Sequence, residues 1–178
     1  MRTFKRVRIC ETARLTLRRM TEDDAQFILE LLNEPAFLAN IGDKGARTIE
    51  DARQYIRTGP VASYEQLGFG LYLVELKESA TPIGISGLLK RASIDDVEIG
   101  FAFLERYSAH GYATESASAV MQLGWDQHKL KRIVAITAPH NQGSMNVLRK
   151  AGLEFHSMLR LPEYATPRTF FVADTPAP

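Results

Sequence analysis

Three groups of residues in this sequence have types and spacing that could do chemistry: a glutamate on a strand of small residues, a glycine-bearing strand-to-helix junction, and an asparagine and serine at a helix start. In Val97-Glu-Ile-Gly-Phe-Ala-Phe103, strand alternation sends Val97, Ile99, Phe101 and Phe103 to one side and Glu98, Gly100 and Ala102 to the other. The second side is small, which leaves space for a ligand along the backbone with Glu98 in reach of a proton. A glycine bulge beside a solvated or paired glutamate uses the same residues.

The stretch Arg106 to Glu115 joins that strand to a helix expected over Ala113–His128. Early backbone N–H groups near Gly111 then lack a partner inside the helix, and an anion placed there gains their hydrogen bonds and the helix dipole. Ser108, Ala109, Gly111 and Ala113 are small enough for a diphosphate to approach the backbone, and Arg106 could add a cation. An ordinary turn with Thr114 and Glu115 in the first helical turn is the plainer alternative. Further on, Asn141 can cap a helix and Ser144 lies three residues later at the same end, so the pair either caps or offers an amide and a hydroxyl to a passing ligand. Lys150-Ala-Gly-Leu153 reads as the glycine-stopped end of that helix.

The elements that must position these groups follow from periodicity. Arg14 to Arg18 alternates like a half-buried strand, and Thr21 to Asp24 has the form of a capping box before a helix carrying Phe27, Ile28, Leu31 and Leu32. Asn33, Glu34 and Pro35 end that helix, and the loop Asn40 to Thr48, a candidate pocket wall, leads to a short helix over Ile49–Arg57. Tyr64 and Phe69 are further pocket candidates. Gly68–Leu76, Pro82–Lys90 and Val97–Leu104 form a three-stranded meander. After the helix come a strand over Arg132–Thr137, a helix over Asn141–Ala151, and strands over Leu153–Arg160 and Thr169–Ala173. The order is mixed α/β.

Composition narrows the class. The 178 residues, 45% hydrophobic, suit one domain spanning the whole sequence, with only Asp174 to Pro178 expected as a loose tail. A net charge of +1 lacks the footprint of a DNA-binding protein. The single Cys10 and the scattered His110, His128, His140 and His156 offer no disulfide and no metal-ligand spacing, so no metal is expected and a cytoplasmic location is. Arg2, Lys5, Arg6 and Arg8 precede no apolar core and read as a solvated leading segment, and no run is long enough to span a membrane.

Arg106-Tyr-Ser-Ala-His-Gly111-Tyr-Ala-Thr-Glu115 resembles the acetyl-coenzyme A loop of GNAT N-acetyltransferases. Glu11-Thr-Ala-Arg14-Leu-Thr-Leu-Arg18 resembles the opening of their RimJ/RimL-like branch, which acetylates ribosomal proteins, and Asn141-Gln-Gly-Ser144 through Lys150-Ala-Gly152-Leu153 resembles a later motif of that branch. Ala109 stands where the first loop glycine is usual, Ser108 where this branch commonly has tryptophan, and Leu148 where many members carry the tyrosine that protonates the departing thiolate.

The resemblance implies a central mixed, mostly antiparallel sheet, splayed at the cofactor cleft and flanked by helices. Acetyl-coenzyme A would meet Ile99, Phe101, Phe103, Arg106, Ser108, Ala109, His110, Gly111, Tyr112, Ala113, Thr114 and Asn141. An amine would attack the thioester directly in a ternary complex, with Glu98 as base, a backbone N–H near Ile99 to Phe101 for the oxyanion, and Ser144 assisting sulfur departure. Glu115 is the competing carboxylate. The acceptor would be a protein or peptide N-terminus or a small molecule, and a homodimer is compatible with the branch. Two other classes share the loop: a non-catalytic acyl-coenzyme A sensor, and a nucleotide-binding module, which would lack both Gly-x-Gly-x-x-Gly and Gly-Lys-Ser/Thr.

Overall fold

Alternating apolar residues build one eight-stranded sheet in the computed structural model, which describes residues 6–176. The strands are β1 (Arg8–Glu11), β2 (Leu15–Arg18), β3 (Leu71–Leu76), β4 (Pro82–Leu89), β5 (Val97–Phe103), β6 (Arg132–Thr137), β7 (Glu154–Leu159) and β8 (Arg168–Asp174). Their spatial order is β1-β2-β3-β4-β5-β6-β8-β7. Every neighbouring pair is antiparallel except β5 and β6. The expected meander is β3-β4-β5, with β4 and β5 in continuous register from Gly84↔Phe103 to Leu89↔Glu98.

The helices are α1 (Ala25–Leu32), α2 (Pro35–Asn40), α3 (Ile49–Ile56), α4 (Ala62–Leu67), α5 (Tyr112–Asp126) and α6 (Gln142–Lys150). They divide between the two faces of the sheet. On one face, Ala117, Val120 and Met121 of α5 and Met145 and Leu148 of α6 bury against Ile99, Ile133, Ala135 and Phe171. Gly124 lets α5 lie close to the sheet, since a Cβ there would stand 2.6 Å from Ile133 Cδ1. On the other face, Ile28, Leu31, Leu32, Ala52 and Ile56 from α1 and α3 cover Leu73, Ile85 and Leu104.

A buried charge cluster ties β2 and β3 to the start of α1. Arg18, 3% exposed, donates to Asp24 at 2.8 and 2.9 Å and to Glu75 at 2.7 Å. The Asp24 carboxylate also accepts the Thr21 N–H, completing the capping box anticipated from sequence, although the turn it opens is a 3-10 helix over Glu22–Asp24.

Several elements differ from expectation. Pro35 opens α2 rather than closing α1, because its fixed φ suits a first helical turn. The helix beginning at Ile49 continues past Pro60 through a π-helical turn, Arg57–Val61, into α4. Such a turn re-routes the hydrogen bond that proline cannot donate. Arg8 begins β1 instead of lying in a solvated leader; Arg2 and Lys5 of that basic cluster lie outside the described residues. Asp174, expected in the loose tail, closes β8 and pairs with Arg132 at 2.7 Å, while residues 177 and 178 lie outside the described residues.

Candidate active site

Where β5 meets β6 the sheet comes apart. The parallel pairing covers only Val97↔Ile133 and Glu98↔Val134, whereas both strands pair over six positions with their other neighbours. The Leu104 N–H donates to the Ile83 carbonyl, so in the same register the N–H groups of Ala102, Gly100 and Glu98 face β4. Those of Phe101 and Phe103 therefore face the divergent edge. A cavity of about 680 Å³ opens there and is lined from both faces of the sheet, a size suited to a cofactor-scale ligand.

On the α5 face, the cavity is bounded by the junction that sequence singled out. Ala109 has φ 60° and Gly111 φ 81°, so the chain makes two left-handed turns before α5. No side chain caps that helix, and the N–H groups of Tyr112, Ala113 and Thr114 have no acceptor one turn earlier within it. The first backbone bond is from Glu115 to Gly111, at 3.0 Å. An uncapped fifteen-residue helix aimed into a cavity is a place for a phosphate-type anion.

Arg14 is a cation that contacts the junction backbone, and it lies outside the cavity lining. Arg106 pairs with Glu30 at 2.5 Å and lies outside the cavity lining, as does His110, whose ring donates to the Ser108 carbonyl and stacks on Tyr112. Arg14 donates to the His110 carbonyl at 3.0 Å, and its guanidinium lies 4.6 Å from the Tyr112 ring centre. Glu115 anchors Arg14, accepting its backbone N–H at 2.9 Å and its Nε at 2.7 Å, together with the Thr12 hydroxyl. Burial alone would raise the Glu115 carboxyl; the Thr12 and Arg14 donors outweigh it and hold the group below its ordinary value. Glu115 thus braces the junction from outside the cavity lining.

On the opposite face Glu98 lines the cavity at 4% exposure. Arg91 donates to both its oxygens, at 2.7 and 3.1 Å. Burial pushes the Glu98 carboxyl above its ordinary value, and the Arg91 bonds oppose the rise without cancelling it. The Arg91 guanidinium, whose charge burial disfavours, is held protonated by Glu98. A carboxylate with a raised pKa in a cavity is a stronger proton acceptor than a solvated one.

Ser144 and Asn141 also line the cavity, and the Asn141 side chain accepts the Ser144 N–H at 3.1 Å. The capping role foreseen for Asn141 therefore coexists with its place in the wall. Leu148 is buried at the same wall. Ile99, Phe101, Phe103, Ser108, Ala109, Gly111, Tyr112, Ala113 and Thr114 line the cavity as well.

Residues that sequence reasoning did not single out complete the wall: Phe37, Tyr55, Arg91, Tyr164 and Arg168, with Asn40, Ile41 and Lys44 from the loop it did. A cation spaced seven residues before Glu98, across a turn, was the one available signal for Arg91. Tyr64 and Phe69 are core residues. Tyr64 stacks on Tyr72 and donates to the Leu71 carbonyl; Phe69 packs edge-on against His128.

The cavity thus lies where an open mixed sheet parts beside a glycine-turned helix N-terminus. The chain belongs to the acetyltransferase (GNAT) domain family, whose model matches residues 14–154. It is 29% identical over 154 residues to YoaA, an uncharacterised N-acetyltransferase of Bacillus subtilis, covering 85% of this chain and 86% of YoaA. RimL, a ribosomal L7/L12 α-N-protein acetyltransferase solved in complex with coenzyme A, superposes with a TM-score of 0.82 at 17% identity, over 94% of this chain and 97% of RimL. An acetyltransferase from Agrobacterium tumefaciens superposes with a TM-score of 0.77 at 22% identity, over 96% and 95% of the two chains.

Proposed function

We propose that this protein is an N-acetyltransferase of the RimJ/RimL-like kind, which carries the acetyl group of acetyl-coenzyme A to a primary amine of a peptide N-terminus or a small molecule. The observation that carries this reading is the continuous cavity through the β5/β6 parting, with an uncapped helix N-terminus on one face and the buried Glu98 on the other. The residues fit the cofactor. A diphosphate at the junction would take the N–H groups at the start of α5, and the pantetheine arm would run along the free edge of β5 beside Phe101 and Phe103.

Glu98, directly or through water, removes a proton as the neutral amine attacks the thioester carbonyl carbon. A β5 N–H directed at the parting stabilises the oxyanion that forms. When the carbon–sulfur bond breaks, the Ser144 hydroxyl hydrogen-bonds to the departing thiolate, where many members of the family have a tyrosine and this chain has Leu148, and the proton taken by Glu98 passes to water. Glu115 is assigned to bracing the junction rather than to the proton.

A non-catalytic acyl-coenzyme A sensor is the second reading, favoured by one observation: Arg91 already occupies both oxygens of Glu98. Free-thiol release from acetyl-coenzyme A across a panel of peptides and small amines separates them. Amine-dependent release is expected; tight binding of acetyl-coenzyme A with no release above the amine-free rate would establish the sensor.

A further inference from the structure

The cavity face opposite α5 carries more positive charge than its own residues balance. Lys44, Arg91 and Arg168 line it against the one carboxylate of Glu98, which Arg91 engages through both oxygens. Among the described residues, Lys44 and Arg168 form no ion pair. Glu163 acts on Arg91 from outside the cavity lining, where its carboxylate accepts the Ser93 hydroxyl at 2.6 Å.

Arg168 is held in place but not neutralised. Its Nη1 donates to the Asn40 carbonyl at 3.2 Å, and its guanidinium lies 3.8 Å from the Tyr164 ring centre. Arg91 lies 5.8 Å from the same ring, so one tyrosine fixes both guanidiniums on this wall. Arg168 Nε is buried with no hydrogen-bond partner. Lys44, exposed at the mouth, has its ammonium pushed below its ordinary value by the surrounding protein and by Arg91, with Glu98 opposing. Two positive charges and an unanswered donor beside the base are arranged for a ligand anion.

These cations stand on the wrong side of the sheet for a diphosphate at α5. Arg168 shares the face of Phe170 and Val172 on β8, which pack with Val134 and Tyr164. Phe171 and Ala173 point the other way, into the core beneath α5.

We propose that the acceptor is an amine that also bears a carboxylate or similar anion, held by Lys44 and Arg168 while its amino group faces Glu98. This rests on reading the chain as an acetyltransferase. A polycationic amine would instead meet like charge at this wall, which disfavours its entry. The anion could belong to a free amino acid or to an acidic residue near a peptide N-terminus, two sources of one chemistry.

The test compares acceptors that differ only in the anion, with kcat/KM corrected for the fraction of neutral amine. One arm sets free amino acids against their amides, and the other sets tripeptide amides with Asp or Glu at the second position against Asn or Gln. A preference of at least about tenfold for the carboxylate member in one arm is expected, and that arm names the source. Lys44→Gln and Arg168→Gln, checked for native circular dichroism, are each expected to raise KM for the carboxylate member about tenfold while KM for acetyl-coenzyme A stays in place. Binding of the same pairs to the coenzyme A complex, read by calorimetry, should show the same preference without turnover. Equal use of both members, a preference that survives both substitutions, or a raised KM for acetyl-coenzyme A in the variants would overturn the proposal. Turnover without preference sinks this inference alone. If no amine at all releases thiol, the reading as an acetyltransferase fails and the inference falls with it.

Discussion

Arg91 holds both carboxylate oxygens of Glu98, at 2.7 and 3.1 Å, inside the cavity where the sheet parts. The pairing aims a buried carboxylate and favours its charged form against the opposing effect of burial. Burial and the guanidinium act on Glu98 in opposite directions, and burial prevails.

If Glu98 is the base, activity falls as pH drops through its pKa, because the protonated acid cannot accept the amine proton. The raised value places this acidic limb above that of a solvated glutamate, near pH ~4.3. Arg91→Met removes the lowering influence, so the limb should move to higher pH. Profiles of kcat/KM for wild type and variant with the same amine test this, since the amine's own titration is common to both. A limb that stays in place or moves down would separate Arg91 from the Glu98 proton.

Glu115 and Glu98 should fail in different ways. Glu115→Gln weakens the brace on Arg14 and on the junction, so KM for acetyl-coenzyme A should rise about tenfold, or ~1.4 kcal/mol, with kcat nearly kept. Steady-state kinetics with varied acetyl-coenzyme A read the split. A kcat loss of a hundredfold or more with KM unmoved would return Glu115 to the chemistry.

At the junction itself, two positive-φ residues should respond unequally to substitution. Gly111→Ala places a Cβ 3.3 Å from Arg14 Nη2 and in the left-handed region. It should lower stability by ~1–2 kcal/mol and weaken acetyl-coenzyme A binding. Ala109→Gly relieves the same conformational cost at φ 60° while loosening the unfolded chain, so stability should stay within about 1 kcal/mol of wild type. Denaturant melts and calorimetric titration check both.

Stability in acid should depend on Asp24. Burial would raise its carboxyl, but the Arg18 and Thr21 hydrogen bonds and the Arg18 charge hold it below its ordinary value. A lowered native pKa means stability that is present above the unfolded carboxyl value of ~3.9 and is lost as pH falls through the native one. Asp24→Asn leaves Arg18 buried with Glu75 alone and should cost about 3 kcal/mol at neutral pH. It should also flatten the stability slope in that acid window. Urea melts from neutral pH into that window measure both effects, and a slope unchanged in the variant would clear Asp24.

What could be read from sequence was what lies within one element or its ends. The alternation around Glu98, the bare backbone near Gly111 and the Asn141 cap are local, and each sits where its spacing put it. The helix across Pro60 was hidden because a π-helical turn hides the break that proline signals. The partners of the chemistry were hidden by distance. Arg91 follows β4, Tyr164 and Arg168 stand at the entry to β8, and only the crossover that puts β8 beside β6 gathers them around Glu98. Arg106 shows the converse, since a cation adjacent in sequence to the junction is drawn away by Glu30 on α1.

The most direct measurement is thiol release by wild type and Glu98→Gln at saturating acetyl-coenzyme A and amine, with acetyl-coenzyme A affinity taken by calorimetry on the same preparations. Amine-dependent release by wild type, a kcat lower by about 10²–10⁴ in the variant and an unchanged affinity are expected. Release at the wild-type rate by Glu98→Gln would contradict the assignment of Glu98 as the base, and the absence of amine-dependent release from wild type would contradict acetyl transfer itself.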